Sequence, residues 1–343
     1  MPESLVLSLP ANAALFVLAA GVIGVAGWYL TDVAGRLADR TGLGQAVIGA
    51  VFLGATTSLS GTVTSVTAAL GNHPDLALGN AIGGIAAQTA FLAIADMTYT
   101  RANLEHAAAS AANIMQGALL VSMLALILAA MVAPEVTLLG VHPVSAALVA
   151  TYVFGMGLVS RAHARPMWRP RRTAETREDL PRKAQGGSLR SLIARFLALA
   201  SLVAVAGWVI AQSAVALAAQ SGLSETALGA VFTAVSTSLP ELVTALAAVR
   251  QGALTLAVGD IIGGNTYDTL FVAMSDAAYR EGSILHAVSP EHFILLIAVC
   301  LLQTGFLLMG MVHREKHGIA NIGFESFLIL LLYVGAVVML LRS

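Results

Sequence analysis

The sequence predicts an all-α membrane protein: ten transmembrane helices arranged as two inverted five-helix repeats. Three observations carry that expectation. Hydrophobic residues make up 57% of the 343-residue chain and charged residues only 11%, against about 25% charged in an average soluble domain. An internal match recurs at a constant offset of 180 residues. One long polar connection, His163–Arg190, separates five apolar segments from five.

Composition decides the solvent. The mean hydropathy is +0.83. The 18 basic and 19 acidic side chains are too few to cover a globule of this size. A bilayer crossing needs about 20 apolar residues, and the chain supplies many such stretches. The formal net charge of −1 gives no sign of nucleic-acid binding. The one cysteine, Cys300, lies in an apolar run, which rules out a disulfide or zinc framework within the chain and reads as a small buried hydrophobe. Met1–Pro10 lacks a basic region and no cleavage box follows, so the first apolar run is expected to be a retained helix.

The segments run roughly Ala11–Ala34, Leu43–Leu70, Leu76–Tyr99, Ala107–Val132, Pro143–Val159, Leu192–Leu217, Glu225–Val249, Leu254–Tyr279, His292–Met311 and Gly323–Leu341. The second and seventh are rich in Thr, Ser and Gly and are expected to be interruptible. The connection contains Pro166, Pro170, Pro181, many Arg residues and Gly186–Gly187. The expected division is therefore 1–162, a basic cytoplasmic linker 163–190, and 191–343. Sorted by side, sixteen Arg and Lys residues fall with the odd-to-even connections, and only Arg280 and Arg342 fall opposite. Positive charge stays cytoplasmic, which places the chain in the inner (plasma) membrane with both termini periplasmic or extracellular.

The repeat holds without a gap over some seventy positions. Gly27-Trp28 matches Gly207-Trp208, Gly49–Phe52 matches Gly229–Phe232, and Thr57-Ser58-Leu59 matches Thr237-Ser238-Leu239. Gly83-Gly84 matches Gly263-Gly264, Phe91 matches Phe271, and Asp96 matches Asp276. An odd number of helices per half makes the second copy enter from the other side. Such a protein has a natural site at its midplane, where interrupted helices of both halves meet.

Polar residues concentrate in the matched segments. Pro240 removes a backbone donor and frees a carbonyl one turn earlier, near Ser236. Thr237 and Glu241 are four residues apart and share a face, so carboxylate, hydroxyl and carbonyl oxygens can meet one hard cation. In the eighth segment Gly263 and Gly264 allow close helix approach, and Asp268 shares a face with Gly264. In the third, Gly83 and Gly84 repeat this and Gln88 takes the place of Asp268. A carboxylate in a bilayer costs at least about 2.5–3.5 kcal/mol. For Glu241 and Asp268 a cation or proton site repays it; the alternatives are a protonated acid or a structural hydrogen bond. Asp96 and Asp276 read equally as caps or as ion-pathway groups, Asp260 as a helix-start residue near water, and Asn80 and Asn265 as pathway candidates. Asp32, Glu105, Glu225 and Glu325 read as interfacial. No P-loop, hydrolase elbow or βαβ context accompanies the glycines, so the chain reads as a secondary transporter rather than an enzyme.

The run Thr237-Ser238-Leu239-Pro240-Glu241-Leu242-Val243-Thr244 resembles the signature of the sodium/calcium exchanger superfamily, as does Gly259-Asp260-Ile261-Ile262-Gly263-Gly264-Asn265-Thr266-Tyr267-Asp268. The resemblance covers most of the chain and is more specific in the second half. It implies exchange of Ca²⁺ for Na⁺ or H⁺ with no resident cofactor, the partners being the bilayer and inorganic cations and not nucleic acid; an oligomer is not implied. Carried over, the family's ligand positions are Glu241, Asp268, Thr237, Thr57 and Gln88; with Ser236, whose carbonyl Pro240 frees, and Thr56 they make up the expected cation-binding set. Gly61, Gly83, Gly84, Gly263, Gly264 and Pro240 shape the backbone. Where the family has a second Glu this chain has Gly61, and Ser60 stands for the preceding Pro; Gly84 and Gly264 stand for two serines. The resemblance also implies that the first and sixth helices form a peripheral pair sliding across the rest. Two alternatives stay open: a proton- or monovalent-coupled transporter that does not carry calcium, and a non-transporting membrane scaffold or regulatory subunit.

Overall fold

The computed structural model describes residues 7–41, 54–99, 101–165, 167–171, 173, 188–316, 318 and 322–342. Its helices are α1 (Leu9–Thr41), α2 (Leu59–Leu70), α3 (Pro74–Thr98), α4 (Leu104–Ala108), α5 (Ala111–Val132), α6 (Pro143–Ala164) and α7 (Leu189–Ser221). There follow α8 (Glu225–Thr237, with a π-helical turn at Leu228–Thr233), α9 (Leu239–Gln251), α10 (Leu254–Ala278), α11 (Ile284–Ala287), α12 (Pro290–His313) and α13 (Phe324–Leu340). Most of the linker, 174–187, and the first part of the second apolar segment, 42–53, lie outside the described residues.

Local chemistry sets the helix ends. Ser110, Ser188 and Ser224 each accept a backbone N–H of the first turn, satisfying a donor that has no intrahelical partner. Pro74, Pro143 and Pro290 open α3, α6 and α12, where the missing N–H costs nothing. Gly222 and Gly252 end α7 and α9 at φ 75° and 77°, a left-handed conformation that glycine adopts without strain.

The 180-residue offset is visible in the helices themselves. The bounds of α1 and α7 differ by that number, and so do those of α3 and α10. The 33-residue helices α1 and α7 lie against each other with Val17, Leu18, Val25, Val205 and Trp208 exposed on the outside. Their crossings onto the rest are reciprocal. A Cβ on Gly27 would meet the Pro240 ring, and one on Gly207 would stand 2.8 Å from the Ser60 carbonyl oxygen. The partners of these two glycines are themselves repeat mates, which is the mark of a two-fold relation between contacting surfaces. The 25-residue helices α3 and α10 form the centre, packed on each other. α3 is almost wholly buried. Its Gly79 and Gly83 sit against the backbone of Gly229 and Ala230 in the π-helical turn.

The expected ten transmembrane helices in two inverted five-helix repeats require correction. Among the described residues six helices are long and apolar enough to cross a membrane, or seven if the bent pair α8–α9 counts as one span. The physical reason is length in two helices and charge in a third. α2 is only 12 residues long and α13 only 17. α10 has the length but carries Asp260, Asp268 and Asp276. Apolar runs in the sequence are therefore not each a lipid-ready span; several are sheltered by protein instead.

The two ends of the bundle are distinct. At one, the connections 99–110 and 314–323 meet residues of the linker: His106 bonds Arg314 O and Thr173 Oγ1, Asn103 N donates to Lys316 O, and Arg314 donates to Arg171 O. At the other, His73 pairs with Glu225 at 2.7 Å, and Asp75 accepts from Thr226 and from Ser289 N. Glu105 and Glu325, expected at the membrane border, are buried within the protein.

Candidate cation site at the helix breaks

Two helices break at repeat-related serines. Ser58 (φ −81°, ψ 8°) precedes α2, and Ser238 (φ −94°, ψ 7°) separates α8 from α9. Pro240 enters at the first turn of α9, and the two pieces are bent by 44°. Proline cannot donate to the turn before it, so the helix restarts with Glu241 in its first turn. A helix start favours a carboxylate, because its unpaired N–H groups give positive potential.

Between the breaks lies a small cavity of about 10 Å³, lined by Ser58, Gly61, Asn80, Gly84, Gln88, Thr237, Ser238, Glu241, Asp268 and Phe271. Gln88 Nε2 donates to Asp268 Oδ2 at 2.6 Å and lies 3.2 Å from Ser238 Oγ. Gln88 and Asp268 are repeat mates in direct contact, and only residues beside a two-fold axis touch their own counterparts. Thr237 Oγ1 donates to Asn80 Oδ1 at 3.1 Å, and Asn80 Nδ2 donates to Gly61 O at 3.1 Å and to Ser65 Oγ at 2.8 Å. Ser60 Oγ donates to Thr237 O at 2.9 Å. Asn80 thus fixes the walls, and the Thr237 carbonyl already has a donor.

What remains is a set of oxygens without donors. Both carboxylate oxygens of Glu241, Asp268 Oδ1, Gln88 Oε1 and Ser58 Oγ have no hydrogen-bond partner, with Glu241 and Asp268 each 2% exposed. Buried carboxylates without a donor are costly, and a hard cation or a proton offsets that cost. The donor set, all oxygen, suits Na⁺, Ca²⁺ or H⁺. Among the described residues no three Asp, Glu, His or Cys side chains converge as a metal cluster, so any cation here is held by two carboxylates and neutral oxygens.

The cavity gathers Glu241, Asp268, Gln88, Thr237, Asn80, Gly61 and Gly84 from the expected set. Thr57 sits one residue from the wall, its hydroxyl donating to Gly54 O, and Thr56 and Ser236 are buried but do not line it. Gly83 and Pro240 serve the helix crossings, a Cβ on Gly263 would stand 3.2 Å from Gln116 Nε2, and one on Gly264 3.3 Å from Gln88 Oε1. Asn265 Nδ2 donates to Thr89 Oγ1. Asp260 is half-buried near the start of α10. Asp96 and Asp276 lie at the far ends of α3 and α10, where they accept the backbone N–H of Leu104 and Ile284. Three lining residues were absent from the expected set: Ser58, Ser238 and Phe271. Their signal lay in the repeat, since all three belong to matched positions.

The model of the family described as "Sodium/calcium exchanger protein" matches residues 11–160 and 191–342. The chain is 27% identical over 153 residues to the sodium/calcium exchanger MaX1 of Methanosarcina acetivorans, covering 44% of this chain and 43% of that protein. It is 35% identical over 124 residues to the inner membrane protein YrbG of Escherichia coli, covering 36% and 38%. These matches span about two-fifths of each relative's length. The crystal structure of the H+/Ca2+ exchanger CAX superposes with a TM-score of 0.67 at 12% identity, over 96% of this chain and 85% of that one. At that identity the likeness shows the fold.

Proposed function

Because the chain belongs to the sodium/calcium exchanger protein family, we propose that it is a secondary-active cation antiporter that exchanges Ca²⁺ for Na⁺ or H⁺ by alternating access. It is a multi-pass membrane protein. The observation that carries the reading is Glu241: a buried carboxylate with no donor on either oxygen, facing Asp268 across a cavity between two helix breaks. A cation bound there neutralises both acids. Empty, the pair is costly to carry through a closed state, so return requires a second cation or protons, which is what couples the two fluxes. The α1–α7 pair crosses both broken segments at Gly27 and Gly207; its displacement changes which side of the cavity is covered.

Residues 1–162 and 191–343 act as the two halves in this reading, joined by the basic linker 163–190. The linker end faces the cytoplasm of an inner (plasma) membrane with the termini opposite, supported by the positive charge of the connections that meet there. The cation ligands are Glu241, Asp268, Gln88 and Thr237, with Thr57, Thr56 and Ser236 behind them. A second reading, exchange of monovalent cations or protons without calcium, is favoured by Gly61 and Phe271. A ring edge fills the space where a second glutamate would project, and calcium takes six to eight oxygens.

The test is flux in proteoliposomes. Calcium-dependent sodium or proton efflux, lost in Glu241→Gln while the variant remains folded, supports the reading. Sodium or proton exchange without calcium dependence selects the second reading, and unchanged flux in Glu241→Gln overturns both.

A further inference from the structure

One end of the bundle holds a second group of acids, remote from the central cavity. Asp96, at the end of α3, accepts from Leu104 N at 2.6 Å and Ser326 Oγ at 2.9 Å. Its repeat mate Asp276 is held the same way, by Ile284 N at 3.0 Å and Ser145 Oγ at 2.6 Å. These matching contacts place Glu105 opposite Leu285 and Glu325 opposite Val144. The same arrangement is therefore built once with two hydrocarbons and once with two acids, so the fold itself does not require the acids.

Glu105 and Glu325 are 1% and 0% exposed, and among the described residues none of their four oxygens has a donor beyond each residue's own backbone N–H. The two carboxyl groups lie within hydrogen-bonding reach of each other. Asn103 is a third, independent orphan: it is 1% exposed and neither its Oδ1 nor its Nδ2 has a partner. Its Nδ2 and Glu325 Oε1 crowd the same side of Gly323. Two touching, buried carboxylates cannot both stay ionised, but one proton between them turns repulsion into a short, charge-assisted bond. Asn103 can then donate to one remaining oxygen. A metal ion fits less well, since no three acidic, His or Cys side chains among the described residues converge to hold one.

We propose that Glu105 and Glu325 form an accessory proton site, distinct from the cation cavity, that sets the pH response of the protein from the linker end. Burial first, and then the charges of Asp96 and Glu325, push the Glu105 carboxyl well above its ordinary range. The charged groups facing the pair are Asp96 on α3 and Glu315 on the connection before α13. The guanidinium of Arg314 donates to His106 O and Arg171 O, and His106 faces Arg314 O and Thr173. α3 carries Asp96 two turns beyond Gln88, so the same helix joins this site to the cavity. Releasing the proton to water leaves a second carboxylate beside Asp96; no other bond changes.

Infrared pH-difference spectra of the purified full-length protein test this without depending on transport. In a Glu241→Gln/Asp268→Asn background, which removes the cavity acids, a titrating protonated-carboxyl band should persist, and it should disappear when Glu105→Leu/Glu325→Val, which installs the residues of the matching end, is added. In proteoliposomes Glu105→Leu/Glu325→Val with the cavity acids intact should retain flux, with the midpoint of its pH profile moved by about one unit or more. Should that variant not fold, Glu105→Gln/Glu325→Gln, which keeps side-chain size, must still lose the band. A band that survives either addition to that background overturns the proposal. So does an unmoved pH profile, or the loss of one bound Na⁺ or Ca²⁺ per chain on removing the two acids.

Discussion

Gly61 and Phe271 provide a perturbation whose size the structure sets. A Cβ on Gly61 would stand 2.7 Å from Phe271 Cε2 and 3.2 Å from Cζ. Carbon atoms pack at about 3.5–4.0 Å, so the ring edge must retreat by about 1 Å. It has little room: Phe271 is 2% exposed and stands edge-on to Tyr267, 6.1 Å away, which is edge-on to Tyr152 at 6.0 Å. Overpacking of this kind costs about 1–3 kcal/mol, and alanine for glycine inside a helix returns about 1 kcal/mol. The net expectation for Gly61→Ala is a loss of about 0–2 kcal/mol, which lowers the melting midpoint by up to about 5 °C. Phe271→Leu removes the offending edge, so in that background Gly61→Ala should turn neutral or stabilising. The coupling between the two positions is then about 1–2 kcal/mol. Thermal melts of the four proteins in one detergent measure it. Additivity within about 0.5 kcal/mol would refute the claim that this ring occupies the space of a side chain at position 61.

Two further expectations use the same measurement. Gly83→Ala drives a Cβ into the Ala230 backbone, whose carbonyl carbon would lie at 2.8 Å. Backbone cannot rotate away, so this variant should lose more than about 3 kcal/mol, while Gly305→Ala, with nothing within 4 Å, should be neutral or gain up to about 1 kcal/mol; equal effects of the two would refute the close crossing of α3 and α8. His142 caps α6 through Nδ1, accepting from Val144 N at 3.1 Å, and its pKa is lowered from 6.5 by burial and by His286, against Asp276 and Glu135. The folded protein thus binds fewer protons than the unfolded chain below that value, so stability falls as pH drops through it. His142→Asn keeps a good cap and should flatten the melting midpoint between about pH 7.5 and about pH 5.5; an unchanged acid slope refutes the assignment.

Membrane class and the internal duplication were legible without coordinates, because both are properties of composition and register. A shortage of charge cannot be hidden by folding, and Trp28, Gly83 and Asp96 keep their spacing to Trp208, Gly263 and Asp276 whatever the chain does. The central acids were legible for a related reason: Glu241 and Asp268 stand out in an apolar context where each needs a partner. The number of crossings was not, since an apolar run in the sequence does not show where its helix breaks or ends: α2 keeps 12 residues after the break at Ser58 and α13 only 17. Tertiary structure alone decided that Gln88 touches Asp268, that a phenyl ring from α10 closes the space at Gly61, and that Glu105 and Glu325 are buried against each other. Each is a contact between residues more than 150 positions apart, formed where helix breaks and glycine crossings let backbones approach, and no local pattern encodes that approach.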